Sequence, residues 1–533
     1  MLARLAEGSE LPEMVPPQAS AAVVLWRRTV GGKLEVFWLK RSERLAFMGG
    51  FYAFPGGGLS RRDASILVRG SPAGVEAACP GAGLPAAVTD GIAGLGPILA
   101  PGLVACALRE LYEETGVLLA PQMDQRAAEE ATAVRLARAR RRLLAEEQDL
   151  AALLTAEGLT LDAASLVYAG RWLTPPLGPL RFDNRFFLLR WPQERALQPE
   201  VLPAEAERGE WVRPAEAIER WRRGELMTAP PILHILEVLA QEGPEKGLER
   251  LRNPVEANLG PFRRVEFRPG VLLFPLRTPT LPPASYTNAY VLGTREAVLI
   301  DPGSPHEREI AWLREALETV RERLGRRITA IWLTHHHPDH VGGVAALRSA
   351  LEVPVLAHPA ATELLSQRGI PVDGELADGQ RFELAGDPPF PVRVIHTPGH
   401  ARGHLCFLEE TFGSLVSGDL VAGFGTIVID PPEGNMSDYL DSLARLRKIG
   451  PKTLFPAHGP TIGAADAKLE AYIRHREWRE ERILAAWRSG LREPAEMLET
   501  VYDDVPRLAH PLAERQIVAH LERLEAMGRL NSS

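Results

Sequence analysis

Apolar residues alternate through AAVVLW (21–26) and LEVFWL (34–39), a pattern that predicts a β-hairpin. Gly-rich loops follow, and a helix is predicted at 103–115. The stretch 123–156, dense in Ala, Arg, Glu and Leu, predicts a long helix. RFDNRFFLLRW (181–191) predicts a strand and PAEAIERWRRG (214–224) a short helix. Further on, YVLG, AVLIDPG, ITAIWLT, PVLAHP, VRVIHTPGH and SLVSGD alternate with helical segments such as HEREIAWLREALETVRERLG. That order predicts an α/β arrangement, sheet inside and helices outside. From about residue 464 the pattern turns helical, enough for a small C-terminal module. The Pro-containing, mixed-charge stretch 241–261 reads as the linker between two halves.

Composition narrows the class. A chain of 533 residues holds three or four domains at roughly 150 residues each. Its 45% hydrophobic and 24% charged residues are ordinary for globular domains and exclude a disordered or fibrous chain. No apolar run reaches the ~18–20 residues that cross a bilayer, so no membrane partner is expected. The net charge of −8 argues against a chain built to coat nucleic acid. Six of the 61 basic residues are Lys and the rest Arg, the bias of a GC-rich, bacterial genome. Cys79, Cys106 and Cys406 are widely spaced, which suits a reduced compartment and neither a disulfide frame nor a thiolate metal site. The N-terminus carries acids and lacks an apolar core, so it is no secretory signal, and a cytoplasmic location is expected.

The strongest chemical signal is THHHPDHVGG (334–343), which supplies His335, His337, Asp339 and His340 directly after the apolar run ITAIWL. Imidazoles at alternating positions of an extended strand end point the same way. Imidazole with carboxylate suits Zn²⁺, and an open coordination position makes such a metal catalytic. Further donors follow other apolar runs: His400 in HTPGH, Asp419 in SGD and His458 in PAHGP. Each precedes Gly or a turn, where a strand delivers a side chain to a sheet rim.

These residues resemble the metallo-β-lactamase superfamily. Its HxHxDH, distal His, bridging Asp and distal His motifs match His335, His337, Asp339 and His340, then His400, Asp419 and His458. The resemblance implies one Zn²⁺ on His335, His337 and His400 and another on Asp339, His340 and His458, with Asp419 between them and Asp339 also acting in catalysis. It also implies that Asp301, in LIDPG, supports the ligand loop from behind. His336, His396 and His404 match no ligand position and read as supporting the ligands or as structural. NAYVLG, GTIVI, SDYLDSLARL and PAHGPTI, with the closing helices, resemble the β-lactamase-like protein 2 group over about 280–530. That likeness implies a glyoxalase-II-like hydrolase domain followed by a winged helix. Animal members of the group act on RNA, and nearer relatives in the superfamily cleave thioesters. Residues 474–533 hold ten Arg and no Lys against eleven acidic residues, a poor footprint for phosphate. RNA is therefore disfavoured as a partner; packing on the core, fencing a cleft and forming a homodimer stay open for the module.

The second signal is FPGGG (54–58) with ALRELYEETGV (107–117). On a helix Glu110, Glu113 and Glu114 share one face, where like charges repel unless a cation sits among them. Oxygen donors suit Mg²⁺ or Mn²⁺, and Arg109 can orient a carboxylate through a bidentate pair. The pattern resembles the Nudix box, with Gly57 at its opening, Asp63 where Glu is usual, and an insert of 38 residues before Arg109. The insert is Gly-, Ala- and Pro-rich and reads as an extruded loop. Interruption of this kind, with RSERLAFMGGFYAFPGG (41–57) and WLTPPLGPLRFDNRFFLL (172–189), resembles the peroxisomal coenzyme A diphosphatase type. The likeness implies Arg109, Glu113 and Glu114 in catalysis, Glu110 beside them on Mg²⁺, and Arg41, Gly56 and Gly57 at the nucleotide.

The expected architecture is a multidomain α/β chain. A Nudix α/β/α sandwich spans 1–245 with its insert at about 64–102, and a linker spans 246–262. A metallo-β-lactamase αβ/βα sandwich spans 263–470, and a winged-helix module spans 471–533. The expected activity is a pair of metal-dependent hydrolyses on small molecules. One cleaves a nucleoside-diphosphate-linked compound such as coenzyme A or acyl-coenzyme A, and the other an ester or thioester. Two alternatives stand for the second half: a single-strand endoribonuclease, or an iron-dependent persulfide oxygenase. For the first half the alternative is nucleotide binding alone.

Overall fold

The structure is a computed structural model that describes residues 16–45, 48–74, 102–122, 130–175, 181–192, 198–203, 206–254, 258–259, 262–281 and 284–530. Most of the 64–102 insert, Cys79, and the start of the helix expected from 123 lie outside these residues. The chain divides into two compact units between Pro269 and Gly270.

In the first unit the predicted hairpin is present: Gln18–Arg28 pairs antiparallel with Leu34–Arg41, Leu25 opposite Phe37. Strand order across the sheet is Tyr52–Ala53, Leu34–Arg41, Gln18–Arg28, Phe182–Arg190, Leu166–Leu173. Gln18–Arg28 and Phe182–Arg190 run parallel at its centre. Both faces of the central strand are covered, which is why its sequence reads as a continuous apolar run. Ala21, Val23 and Leu25 pack with Leu103, Leu111 and Tyr112 of the helix Leu103–Thr115. Ala22, Val24 and Trp26 face the other way, onto Pro214–Arg222 and Pro230–Gln241.

The long helix expected over 123–156 is two helices, Glu130–Leu144 and Leu150–Glu157. The composition is helical throughout, but Glu146 takes a left-handed φ of 57° and the Asp149 carboxylate caps the second helix on the Ala152 N–H, 2.7 Å. Within the expected linker, Gly243–Lys246 and Leu248–Arg252 are helical, and Leu251 is buried in the first unit's core.

The second unit carries two sheets. The first runs Val271–Arg277, Tyr286–Gly293, Glu296–Ile300, Arg327–Trp332, Val355–Ala357 and Gly374–Glu375, parallel from Glu296 onward. The second runs Arg381–Leu384, Phe390–His396, Leu405–Glu409, Ser414–Gly418 and Thr453–Pro456. Side chains meet between the sheets: Trp332 lies 4.7 Å from Phe382 and 5.2 Å from Phe407 by ring centroids. Beyond 464 the described elements are helices: Ala465–Arg488, Pro494–Val501, His510–Ala526 and a single 3₁₀ turn at Arg507–Ala509. Among the described residues no helix is long and apolar enough to cross a membrane.

Candidate active sites

Every donor expected in the second unit follows the C-terminal end of a strand. Asp301 follows Glu296–Ile300, and the run His335 to His340 follows Arg327–Trp332. From the other sheet, His400 follows Phe390–His396, Asp419 follows Ser414–Gly418 and His458 follows Thr453–Pro456. Such ends leave a crevice where side chains from several strands converge.

They do converge. His335, His337 and His400 form one group whose ligand atoms lie within 4.8 Å of one another; Asp339, His340 and His458 form a second, and His335, His340 and Asp419 a third. The Nε2 atoms of His335 and His400 each stand 2.9 Å from His337 Nδ1. Asp419 faces both sides. Its Oδ2 is 3.5 Å from His400 Nε2, and its Oδ1 is 3.6 Å from His340 Nε2 and 3.4 Å from His458 Nε2. Asp339 Oδ2 lies 3.5 Å from His458 Nε2.

The ring nitrogens turned away from the cluster are tied to the fold. His340 Nδ1 meets Asp301 Oδ2 at 2.8 Å, His400 Nδ1 the Val428 carbonyl at 2.7 Å, and His458 Nδ1 the Tyr286 carbonyl at 2.9 Å. A carbonyl only accepts, so Nδ1 of His400 and His458 carries a proton, and a neutral ring so held leaves its Nε2 lone pair for the cluster. His340 Nε2 and Asp419 Oδ1 are buried with no hydrogen-bond partner. Unpaired donors and acceptors at such depth are costly unless something binds them, and this donor set fits a divalent cation.

In the first unit the helix Leu103–Thr115 carries Glu110, Glu113 and Glu114 on the face that Arg109 also serves. Arg109 Nε and Nη2 grip Asp63 at 2.7 and 3.1 Å, while Nη1 reaches Glu113 at 2.7 Å and Glu110 at 2.9 Å. The Gly56 N–H donates to Glu114 at 2.8 Å. A side chain at Gly57 would stand 2.4 Å from Glu110 Oε1, so glycine there makes room for that carboxylate. Asp63, fully buried, takes the bidentate pair with Arg109 at the position where the box usually has Glu. The two sides of the insert meet: a side chain on Gly102 would lie 2.7 Å from Ala64 N. All-oxygen donors fit a hard divalent cation. Among the described residues, however, Glu110, Glu113 and Glu114 do not form a group within 4.8 Å. Arg41 ends the strand Leu34–Arg41, its Nε buried without a hydrogen-bond partner.

Residues 282–458 match the model described as the metallo-beta-lactamase superfamily, 18–239 the NUDT19 Nudix domain, and 494–532 the beta-lactamase associated winged helix domain. Lactamase-like protein vrtG of Penicillium aethiopicum is 34% identical over 235 residues, 44% of this chain and 70% of its own. A beta-lactamase-like protein 2 homolog of Drosophila melanogaster is 33% identical over 261 residues, 46% of this chain and 85% of its own. The chain belongs to the metallo-β-lactamase superfamily. It joins that domain and its winged helix to a Nudix domain, and it is a hydrolase. An atrochrysone carboxyl ACP thioesterase of Aspergillus fumigatus is 30% identical over 233 residues, 41% of this chain and 69% of its own.

The electrostatics of this metallo-β-lactamase domain split its histidines. Burial, then mutual repulsion, holds His335 and His337 well below the ordinary imidazole range; burial also lowers His400, against the pull of Asp419. Burial acts on His458 too, but Asp419 and Asp339 outweigh it and hold it at about 10. Burial disfavours the Asp419 carboxylate, yet His458 and His340 keep it ionised. The rings beside the two carboxylates thus favour the protonated form, and a cation bound there would take the place of those protons.

Of the supporting groups, the sequence pointed to His404 but not to Thr334. His404, pushed to about 3 by burial, accepts the Asp419 N–H on Nε2 at 3.0 Å and so fixes that residue's backbone. Thr334 donates its N–H to Asp301 Oδ1 at 2.8 Å and contacts His335 Nδ1 at 3.0 Å. The Val428 and Tyr286 carbonyls have no sequence signature at all. His396 bonds the Arg402 carbonyl at 2.7 Å and stacks on His358 at 4.0 Å, a structural role.

Proposed function

We propose that the metallo-β-lactamase domain hydrolyses an ester or thioester on two divalent cations, best Zn²⁺, held by His335, His337 and His400 and by Asp339, His340 and His458, with Asp419 between them. The observation that carries this is the convergence of seven donors from two sheets around buried atoms, His340 Nε2 and Asp419 Oδ1, that lack hydrogen-bond partners. Cations bound there supply a Lewis acid and hydroxide near neutral pH. The chain's own part is orientation: Asp301, Val428 and Tyr286 aim the imidazoles, and His404 sets Asp419. A thioester substrate is favoured by the thioesterase relative over its matched length. Toward the C-terminus several arginines pair with nearby acids, Arg479 with Asp504, Arg482 with Asp503 and Arg523 with Glu480, which weighs against RNA.

The Nudix domain, on this reading, cleaves a diphosphate with Mg²⁺ or Mn²⁺ at Glu110, Glu113 and Glu114. Arg109 holds Glu113 and Asp63 in place, and Gly56 and Gly57 with Arg41 lie toward the nucleotide. Coenzyme A or an acyl derivative joins both reactions in one substrate. The test is to incubate the chain with acyl-coenzyme A, Zn²⁺ and Mg²⁺ and to follow free thiol and 3′,5′-ADP. Asp339→Asn should cut thiol release by about 10²-fold or more and spare 3′,5′-ADP; paired Glu113→Gln and Glu114→Gln should do the reverse. Neither product from the wild type rejects the joint reading.

A further inference from the structure

We infer that the C-terminal helices are a positioning element of the metal centre: Arg476, on Ala465–Arg488, and Gln516, within the matched winged-helix domain, hold the loop whose Val428 carbonyl orients His400. The inference rests on the reading of His335, His337 and His400 as cation ligands.

The loop runs between the strand Ser414–Gly418 and the helix Met436–Ile449, starting with Asp419. Its stretch 424–432 belongs to no helix or strand, so its shape is set by what holds its carbonyls. In extended backbone successive carbonyls point to opposite sides. Ile427 and Ile429 turn theirs toward the C-terminal helices, where Arg476 Nη2 and Gln516 Nε2 take them, the latter at 3.3 Å. Val428, between them, turns its carbonyl to His400 Nδ1 at 2.7 Å. Arg476 Nη1 donates to Gln516 Oε1 at 2.9 Å, so the two holders brace each other across the helices Ala465–Arg488 and His510–Ala526. Arg476 is 1% exposed and Gln516 6%. Burying a guanidinium is expensive, and of its donors Nη2 goes to the loop and Nη1 to Gln516, while Nε is buried without a partner. The Tyr472 hydroxyl adds a bond to the Gly425 carbonyl at 2.8 Å.

Release of this grip frees the Val428 carbonyl, the His400 ring loses its fixed tautomer and direction, and the His335, His337 and His400 group loosens. The Asp339, His340 and His458 group keeps its own anchors, Asp301 and the Tyr286 carbonyl. Arg476→Lys keeps the charge but cannot make both bonds. Gln516→Met keeps the volume and removes the amide. Either full-length variant, stripped of metal, is titrated with Co²⁺ and followed by visible absorption and metal analysis, and hydrogen exchange over 424–432 is measured before titration. Expected is faster exchange at 424–432, with one of two Co²⁺ equivalents weakened roughly 10- to 100-fold and the other unchanged. Glu480→Gln, a change in the same helix at a carboxylate facing His520 and Arg523, should move neither readout. Wild-type behaviour in both variants overturns the inference, as does equal weakening in Glu480→Gln. Should Arg476→Lys not fold, Gln516→Met decides. A wild type that takes up no Co²⁺ rejects the cation reading instead, and the exchange on metal-free chain still decides the grip.

Discussion

Asp301 sits at φ 47°, a left-handed backbone that few side chains tolerate, and both its oxygens are occupied. Oδ1 accepts from the Thr334 N–H and Oδ2 from the Thr334 hydroxyl at 2.5 Å, with His340 Nδ1 beside it. Asn accepts that backbone, but its amide presents hydrogens where one donor now points. Asp301→Asn should therefore fold normally and bind divalent metal roughly 10- to 100-fold more weakly, read by chelator competition. This residue was legible, because LIDPG places a carboxylate after an apolar strand. Its partner Val428 was not: any residue brings a carbonyl, and only the loop's path makes that one matter. Asp63 was legible as a departure from the Nudix pattern, yet the consequence was hidden. The shorter side chain still reaches Arg109 because it comes from a 3₁₀ turn, Arg61–Ser65, capped by Ser60, in which Asp63 alone is buried.

Among the elements, periodic segments were read to within a residue or two, as with Leu103–Thr115 and Phe182–Arg190. The break at Glu146 was missed since no Gly or Pro marks it, and the strand Ala206–Val212 since AERGEWV carries too few apolar residues. That strand lies on Leu34–Arg41, so pairing rather than pattern decides it. Interruption of the Nudix box posed the harder question of whether loop and helix stay joined. Gly102 answers it, with φ 83° and contact to the backbone of Asp63 and Ala64. Gly102→Ala combines left-handed strain with a backbone clash and should cost roughly 1–3 kcal/mol. The first unit's Tm should fall by about 2–4 °C per kcal/mol, read by calorimetry. Diphosphate cleavage should decline with it, as Asp63 is pushed from Arg109.

As a whole molecule, the chain is two compact units with separate cores, which licenses two unfolding transitions rather than one. A Zn²⁺-selective chelator with Mg²⁺ kept in excess should lower the Tm of the 270–530 transition and leave the other nearly unmoved, since a ligand of the folded state stabilises only the unit that holds it. A single transition shifted bodily by chelation would contradict this. Whole-chain organisation was legible where chemistry repeats a spacing, as in the donors from His335 to His458, and less so where the units divide.

The donors come from both layers: His335, His337, Asp339 and His340 from one sheet, His400, Asp419 and His458 from the other. An ion seated among them is a rivet through the sandwich, fastening side to side as well as serving chemistry. Unlike a covalent staple, such an ion would exchange with its surroundings, and the lifetime of this half against proteases should then follow the local supply of the ion.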